Sequence, residues 1–318
     1  MEGLANKNIL VTGGLGFIGG HLTDFLSKKA HKVVIPYFYK SEQEKYNFVK
    51  LKKRAKIIKS NILNLNQILQ ILFENKINYI VHLAAESQVT NAHQKPLKTL
   101  KTNVIGTAII LEAARIYGSI EGIIVASSDK AYGKSNKPYR EKDSLAGDHP
   151  YDVSKSSADL IAQTYSKTYK LPVVITRFGN VYGEADLHFV RLIPGICKAI
   201  VRKNIFEIRS NGKYIRDYIY VSDVIDGYIF LIKNLRRLQG EAFNFSSSDN
   251  LSVIEVIKKI EKTLNTNIPF KILNSALGEI PNQHLIDTKI RRLGWKPKKN
   301  LETTIPSILS WYKSYLAK

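Results

Sequence analysis

Tyr151 and Lys155 stand at positions i and i+4 in the run Tyr151-Asp152-Val153-Ser154-Lys155. On a helix that spacing puts both side chains on one face. An ammonium beside a phenol favours the phenolate and lowers the tyrosine from its usual pKa of ~10, which makes Tyr151 a candidate general base at neutral pH. The pair follows an apolar segment, GIIVASS (122–128), that ends in the hydroxyls of Ser127 and Ser128. Asp129 and Lys130 come next, an acid and an amine beside a hydroxyl. A second cluster opens the chain. Gly13, Gly16 and Gly19 are spaced G-x-x-G-x-x-G between a strand-like run and a helix-like one. Glycine permits a tight turn and close approach of backbone to a pyrophosphate, and the amides of Phe17 and Ile18 at the helix start then face the anion. Three glycines alone also suit an ordinary turn, but the strand-turn-helix context points to a dinucleotide.

In NAD-binding folds the second strand ends in an acid that accepts from the adenosine ribose. Here that position is about Tyr37, and no Asp or Glu follows before Glu42. Lys40 and Ser41 would suit the 2′-phosphate of NADP, or a solvated loop. NAD and NADP both fit this pattern.

These groups need a scaffold, and the apolar periodicity supplies one. Strands are predicted at 7–12, 31–37, 56–62, 79–85, 122–128 and 171–178, and helices at 17–30, 64–75, near 96–117 and at 151–170. A short helix is expected within the polar stretch 38–56. Nearly all-apolar strands alternating with helices predict an α/β, Rossmann-type doubly wound parallel sheet covered on both faces. After residue 178 the pattern loosens. Helices near 189–202, 221–234, 252–264 and 303–316 mix with short strands such as 242–246, which reads as a smaller mixed α/β C-terminal part. The expected division is 1–178 for cofactor and 179–318 for substrate, with about 216–246 returning to the first part.

The 318 residues suffice for one large domain or two ordinary ones. An apolar fraction of 44% and a charged fraction of 24% argue against a disordered or low-complexity chain. The lone cysteine, Cys197, excludes an intrachain disulfide and a Cys-based zinc site, and no metal is expected. No apolar window is long enough for a membrane span and no signal-peptide pattern opens the chain, so the expected location is the cytoplasm. The net charge of +21 invites a nucleic-acid hypothesis. The lysines are spread along the chain, however, and even the cluster Lys50, Lys52, Lys53, Arg54 and Lys56 reads as a solvated face. Nucleic acid is therefore not the expected partner, although the positive field favours an anionic ligand.

Taken together, the glycine turn, HLAA (82–85), Asn103 in TNVIGT, Ser128 and the Tyr151/Lys155 pair resemble the extended short-chain dehydrogenase/reductases. RFGNVYG (177–183), RDYIYVSDV (216–224) and LGWKP (293–297) extend the resemblance over essentially the whole chain. It implies a tightly bound NAD(P) and a nucleotide-sugar substrate. Tyr151 would be the base, Lys155 the anchor of the nicotinamide ribose, and Ser128 the partner of the sugar 4-hydroxyl. Asn180 and Arg216 would hold the substrate diphosphate, which also suits a guanidinium on chemical grounds. The same resemblance puts Asn61, Ile62, Leu83, Ala84, Ala85, Asn103 and Phe178 around the cofactor and Ser87 with the substrate. It also implies a homodimer built on the helices near 96–117 and 151–170.

Asp129-Lys130 narrows the chemistry. Epimerases of the family usually carry small or apolar residues after the hydroxyl, whereas sugar-nucleotide 4,6-dehydratases carry an acid pair. The Ser-Asp-Lys form resembles the CDP-glucose 4,6-dehydratase type, and EIPNQHLID (279–287) points the same way. RDYIYVSDV is common to both groups, so nucleobase and hexose are not fixed. In a dehydratase, oxidation at C4 acidifies the C5 proton, a base removes it, an acid protonates the departing C6 hydroxyl, and the hydride returns to C6. Asp129 suits the acid if its pKa is raised. Lys130 suits the C5 base if neutral; otherwise it would stabilise the enolate electrostatically, or simply pair with Asp129. A 4-epimerase is the nearest alternative, and a non-catalytic RNA-binding relative a more distant one.

Overall fold

The computed structural model describes residues 4–39, 41–275 and 280–317. Its strands are β1 (Asn8–Thr12), β2 (Lys32–Tyr37), β3 (Lys56–Lys59), β4 (Tyr79–His82), β5 (Gly122–Ala126), β6 (Val173–Phe178), β7 (Asn180–Tyr182), β8 (Phe206–Ile208), β9 (Ile215–Tyr220), β10 (Ala242–Phe245), β11 (Asp249–Ser252) and β12 (Phe270–Ile272). Seven of them form one sheet in the order β10-β6-β5-β4-β1-β2-β3. The apolar runs explain it: Ile9–Val11, Val33–Ile35, Ile80–Val81, Ile123–Val125 and Val173–Ile175 are all buried, as parallel strands covered on both faces must be. β1 pairs in parallel with β2 on one side and β4 on the other. The strand order reverses there, which is where such sheets bind ligands beyond their carboxyl ends. On one face the helices Leu65–Glu74 and Gly106–Tyr117 contribute Ile68, Leu72, Ile110, Leu111 and Ala114 to the core, and Pro150–Tyr169 contributes Ala162.

Three predicted strands end early. The runs 56–62, 79–85 and 122–128 stop at Lys59, His82 and Ala126, and their last residues leave the sheet as loops. The expected helix near 96–117 is broken into Pro96–Leu100, a π turn Lys101–Ile105 and Gly106–Tyr117, with a further short helix Val89–Gln94 before it. Pro96 starts its helix at a position where no amide hydrogen is needed. β7, β8, β9, β11 and β12 are three to six residues each, too short for a period to show in sequence.

The chain divides into two compact units, residues 1–133, 141–177 and 225–243, and residues 134–140, 178–224 and 244–318. Segment 225–243 therefore belongs with the first unit and 216–224 with the second. The second unit contains the sheets β11-β9-β7 and β12-β8. Its own core gathers Ile196, Cys197, Tyr218, Ile257, Ile260, Ile305 and Ile308. Among the described residues no helix is long and apolar enough to cross a membrane.

Candidate active site

β1 runs into the glycine turn at the point of strand reversal. Gly13 has φ +67°, and a Cβ on it would stand 2.7 Å from the Ala84 nitrogen and 2.8 Å from the Leu83 carbonyl carbon. A side chain is thus excluded both by backbone conformation and by space. Gly16 caps the helix Phe17–Leu26 with extended backbone and no side-chain hydrogen bond, leaving the amides of the first turn for a ligand. Gly19 lets that helix close onto Gly13. Asn47, from the helix Glu42–Leu51, donates to the carbonyls of Leu15 (3.0 Å) and Gly16 (2.9 Å) and fixes the turn from below. This cradle of backbone amides fits a dinucleotide diphosphate. At the end of β2, Ser41 caps the helix Glu42–Leu51 in a reciprocal capping box with Glu44, so its hydroxyl serves the helix. Lys40 lies outside the described residues. Asn61 closes the turn after β3 by accepting from the Leu63 amide at 3.0 Å, and Ile62 packs against Gly106.

A buried polar chain joins this turn to the π turn. Thr12 Oγ1 meets His82 Nδ1 at 2.7 Å, and His82 Nε2 meets Thr107 Oγ1 at 3.0 Å. Thr107 donates to the Asn103 carbonyl at 2.6 Å. The Asn103 amide donates to Ser154 Oγ (2.9 Å) and to the Glu86 carbonyl (3.1 Å), while its oxygen accepts from the Glu86 amide (2.7 Å). Asn103 thus holds the loop after β4, with Leu83, Ala84 and Ala85, against the helix Pro150–Tyr169; Ser87 is exposed on that loop. Burial, reinforced by the Lys155 charge, pushes His82 down to about 3. The unfolded chain therefore takes up a proton below about pH 6.5 that the folded chain refuses until about 3. Stability contributed by neutral His82 is complete above pH 6.5 and is lost on acidification, by roughly 4 kcal/mol at pH 3. Urea unfolding across pH 3–7 should show a shallower slope in His82→Gln; equal slopes would remove His82 from the acid sensitivity.

Tyr151 and Lys155 sit in the first two turns of Pro150–Tyr169 at 8% and 7% exposure. Lys155 Nζ donates to the Ala126 carbonyl, the last residue of β5, at 2.8 Å. Burial pushes its ammonium down to about 8, partly opposed by Asp159. Beyond β5 a 3₁₀ turn, Asp129–Tyr132, is capped by Ser128, whose Oγ accepts from the Lys130 amide at 3.3 Å. Ser128 Oγ donates to Asp129 Oδ1 at 2.8 Å, and Lys130 Nζ donates to the same oxygen at 3.2 Å. Asp129 is only 1% exposed. Hydroxyl, carboxylate and ammonium therefore form one chain, with Ser127 Oγ beside it as a buried hydroxyl that has no hydrogen-bond partner among the described residues.

Arg177, on β6, anchors this turn. Its guanidinium makes a bidentate pair with Asp159 (2.8 and 3.0 Å), donates to Tyr132 Oη (2.7 Å) and the Glu141 carbonyl (3.0 Å), and lies over the Tyr132 ring. Asp159→Ala leaves a buried guanidinium without its counter-charge, and about 3–5 kcal/mol of stability should be lost. A change below about 1 kcal/mol in urea unfolding would contradict that.

The family model described as GDP-mannose 4,6 dehydratase matches residues 10–308. The chain belongs to that family. Its members here are extended short-chain dehydrogenases/reductases of the epimerase/dehydratase kind. An uncharacterised protein of Methanocaldococcus jannaschii is 32% identical, covering 96% of each chain. Human dTDP-D-glucose 4,6-dehydratase is 28% identical over 96% of this chain and 90% of its own. A trifunctional UDP-glucose 4,6-dehydratase of Arabidopsis thaliana is also 28% identical, and there the chain spans about half (48%) of the relative's length. Among solved structures, a dTDP-glucose 4,6-dehydratase from Streptomyces venezuelae with NAD bound has a TM-score of 0.89 at 25% identity, covering 98% of both chains. A UDP-glucuronic acid 4-epimerase from Bacillus cereus, solved with UDP-glucuronic acid and NAD, scores 0.89 at 25% identity over 97% and 99%.

Of the residues expected to form the family's site, the first unit gathers the glycine turn, Leu83–Ala85, Asn103, Ser128–Lys130, Tyr151 and Lys155. Phe178, Asn180 and Arg216 belong to the second unit. There Phe178 stacks on Phe245 at 4.5 Å, Asn180 begins β7, and Arg216 Nη1 donates to the Ile215 carbonyl at 2.8 Å. Of the segment 279–287, Glu279 lies outside the described residues. Asn47, His82, Thr107 and the Arg177–Asp159 pair were not singled out by sequence as supports of the site. Their partners lie 18 to 70 residues away, except that Thr107 also bonds Asn103, so no local spacing marks them.

Proposed function

We propose that this chain is an NAD(P)-dependent nucleotide-sugar 4,6-dehydratase that converts an NDP-hexose to the NDP-4-keto-6-deoxyhexose. The observation that carries this reading is the Ser128–Asp129–Lys130 chain, in which an acid and an amine sit directly beside the hydroxyl. C4 oxidation alone has no use for that pair. When bound, NAD(P) supplies the hydride acceptor for C4 and gives the hydride back at C6. Tyr151 takes the proton of the C4 hydroxyl, with the Lys155 ammonium favouring its phenolate. Ser128 orients the 4-hydroxyl. Lys130 removes the C5 proton and Asp129 protonates the leaving C6 hydroxyl. Asn180 and Arg216 are assigned to the substrate diphosphate. NAD-bound relatives support the cofactor assignment.

A homodimer is part of the same proposal. Leu97, Ile105, Ile116, Val153, Leu160 and Tyr169 are exposed large apolar residues on the helical segments 96–117 and 150–169. They suit a symmetric apolar contact.

The second reading is a 4-epimerase, favoured by the equal structural similarity to the Bacillus cereus epimerase. Incubation with CDP-, GDP-, UDP- and dTDP-hexoses, followed by mass spectrometry, separates the two. Loss of water to a 4-keto-6-deoxy product supports the dehydratase; an isomer of unchanged mass establishes the epimerase.

A further inference from the structure

Segment 281–285 of the second unit runs beside the start of β9. The Ile215 amide donates to the Pro281 carbonyl at 2.9 Å, and the Gln283 amide donates to the Ile215 carbonyl at 3.1 Å, so Asn282 pairs with Ile215 in a parallel bridge. Successive side chains of a strand point to opposite faces, which puts Gln283 on the face of Arg216 and not on that of Ile215. β7 continues the same edge of β9, with Asn180 opposite Tyr218, two residues beyond Arg216. Arg216, Gln283 and Asn180 therefore share one face, the last two about 7 Å apart along the edge by strand rise.

Gln283 is only 2% exposed, and its Nε2 is shielded from solvent without a hydrogen-bond partner among the described residues. Folded proteins satisfy nearly all such buried donors, because an unpaired one has lost its water and gained nothing. The backbone around it is held firmly. On the opposite face Asp217, itself buried, meets His284 Nδ1 at 3.0 Å and accepts from Asn250 Nδ2 at 2.9 Å and from the Leu285 amide at 2.6 Å. These bonds pin residues 283–285 to β9, so the fold itself positions the carboxamide on the Arg216 face. A guanidinium offers only donors, and each carboxamide offers an NH₂ group. The complementary ligand is an anion with several acceptor oxygens, which describes a diphosphate.

We propose that Gln283 binds the substrate directly, its Nε2 donating to a phosphate oxygen of the nucleotide sugar beside the donors of Asn180 and Arg216. This rests on the nucleotide-sugar reading and adds to it a residue that carries no charge. Arg216 supplies the positive charge, and Gln283 supplies a fixed direction for one hydrogen bond. A phosphate contact is indifferent to the base. Gln283 therefore contributes affinity for the diphosphate of any nucleotide that enters and nothing to the choice among nucleobases.

Gln283→Met keeps an unbranched side chain of similar length and removes the donor. Titration calorimetry of the full chain saturated with NAD, using UDP, CDP, GDP and dTDP, reads the effect. Each nucleotide that the wild type binds should bind the variant about 10–100-fold more weakly, as expected for one hydrogen bond to a charged group. The loss should be the same, within about threefold, for all of them. The thermal midpoint without nucleotide should stay at or above that of the wild type, because the side chain gives up no hydrogen bond within the protein. Unchanged affinity, or a loss confined to one nucleobase, would overturn the phosphate contact while leaving the nucleotide-sugar reading standing. Gln283→Leu removes the donor with a different shape and guards against a packing fault of one side chain. A midpoint lowered in both variants would give the amide a structural role and overturn the proposal. Binding of none of the four nucleotides by the wild type would overturn the nucleotide-sugar reading and this inference together.

Discussion

Tyr151→Phe should leave a folded protein whose turnover is about 10²–10⁴-fold lower. The substitution removes one oxygen and keeps the ring that packs at the start of the helix Pro150–Tyr169. The surroundings of Tyr151 make the oxygen matter. Lys155 is held at the end of β5 by the Ala126 carbonyl, so its ammonium is fixed rather than swinging in solvent. Under the proposed function, removing the phenol deprives the C4 hydroxyl of its base. Substrate binding, which draws on other groups, should change little, so the loss should appear in kcat rather than KM. Thermal unfolding should match the wild type within a few degrees. Turnover close to wild type in a well-folded variant would remove Tyr151 from the mechanism.

Lys130→Ala should separate oxidation from elimination. Tyr151 and Ser128 remain, so C4 oxidation proceeds. Loss of a general base typically costs about 10²–10⁴-fold, and it should fall on C5 chemistry alone. Solvent-deuterium exchange at C5 should drop by that factor while absorbance of the reduced nicotinamide builds up with a 4-keto-hexose in the site. In a 4-epimerase C5 is never touched, and exchange would be absent from both proteins. If Lys130 serves only to pair with Asp129, the variant loses stability while the folded fraction keeps its exchange. Undiminished C5 exchange in a folded Lys130→Ala protein would reject the base assignment.

The sequence by itself determined the parts whose logic is local. The spacing of Gly13, Gly16 and Gly19 follows from what a turn between β1 and its helix must permit, and Tyr151 and Lys155 share a face because they are one helical turn apart. The apolar strands alternating with helices predicted the doubly wound sheet, since a parallel strand buried on both faces leaves a continuous apolar run. The hydroxyl-acid-amine order of Ser128, Asp129 and Lys130 is likewise covalent neighbourhood, although its closure into one hydrogen-bonded chain depends on the 3₁₀ turn.

Only the tertiary structure decided what surrounds those groups. The break at Lys101–Ile105 turns Asn103 toward Glu86 and Ser154, partners 17 and 51 residues away. His82 is neutral because packing buries it between Thr12 and Thr107, and the Asp129–Tyr132 turn is steady because Arg177 reaches both Asp159 and Tyr132. Asp152 reads in sequence as one more acid at a helix start. Packing of its helix face on the Asp129–Tyr132 turn makes it a buried carboxylate within the field of Lys130. Periodicity reports which face of an element is apolar, whereas desolvation and long-range hydrogen bonds depend on which faces meet.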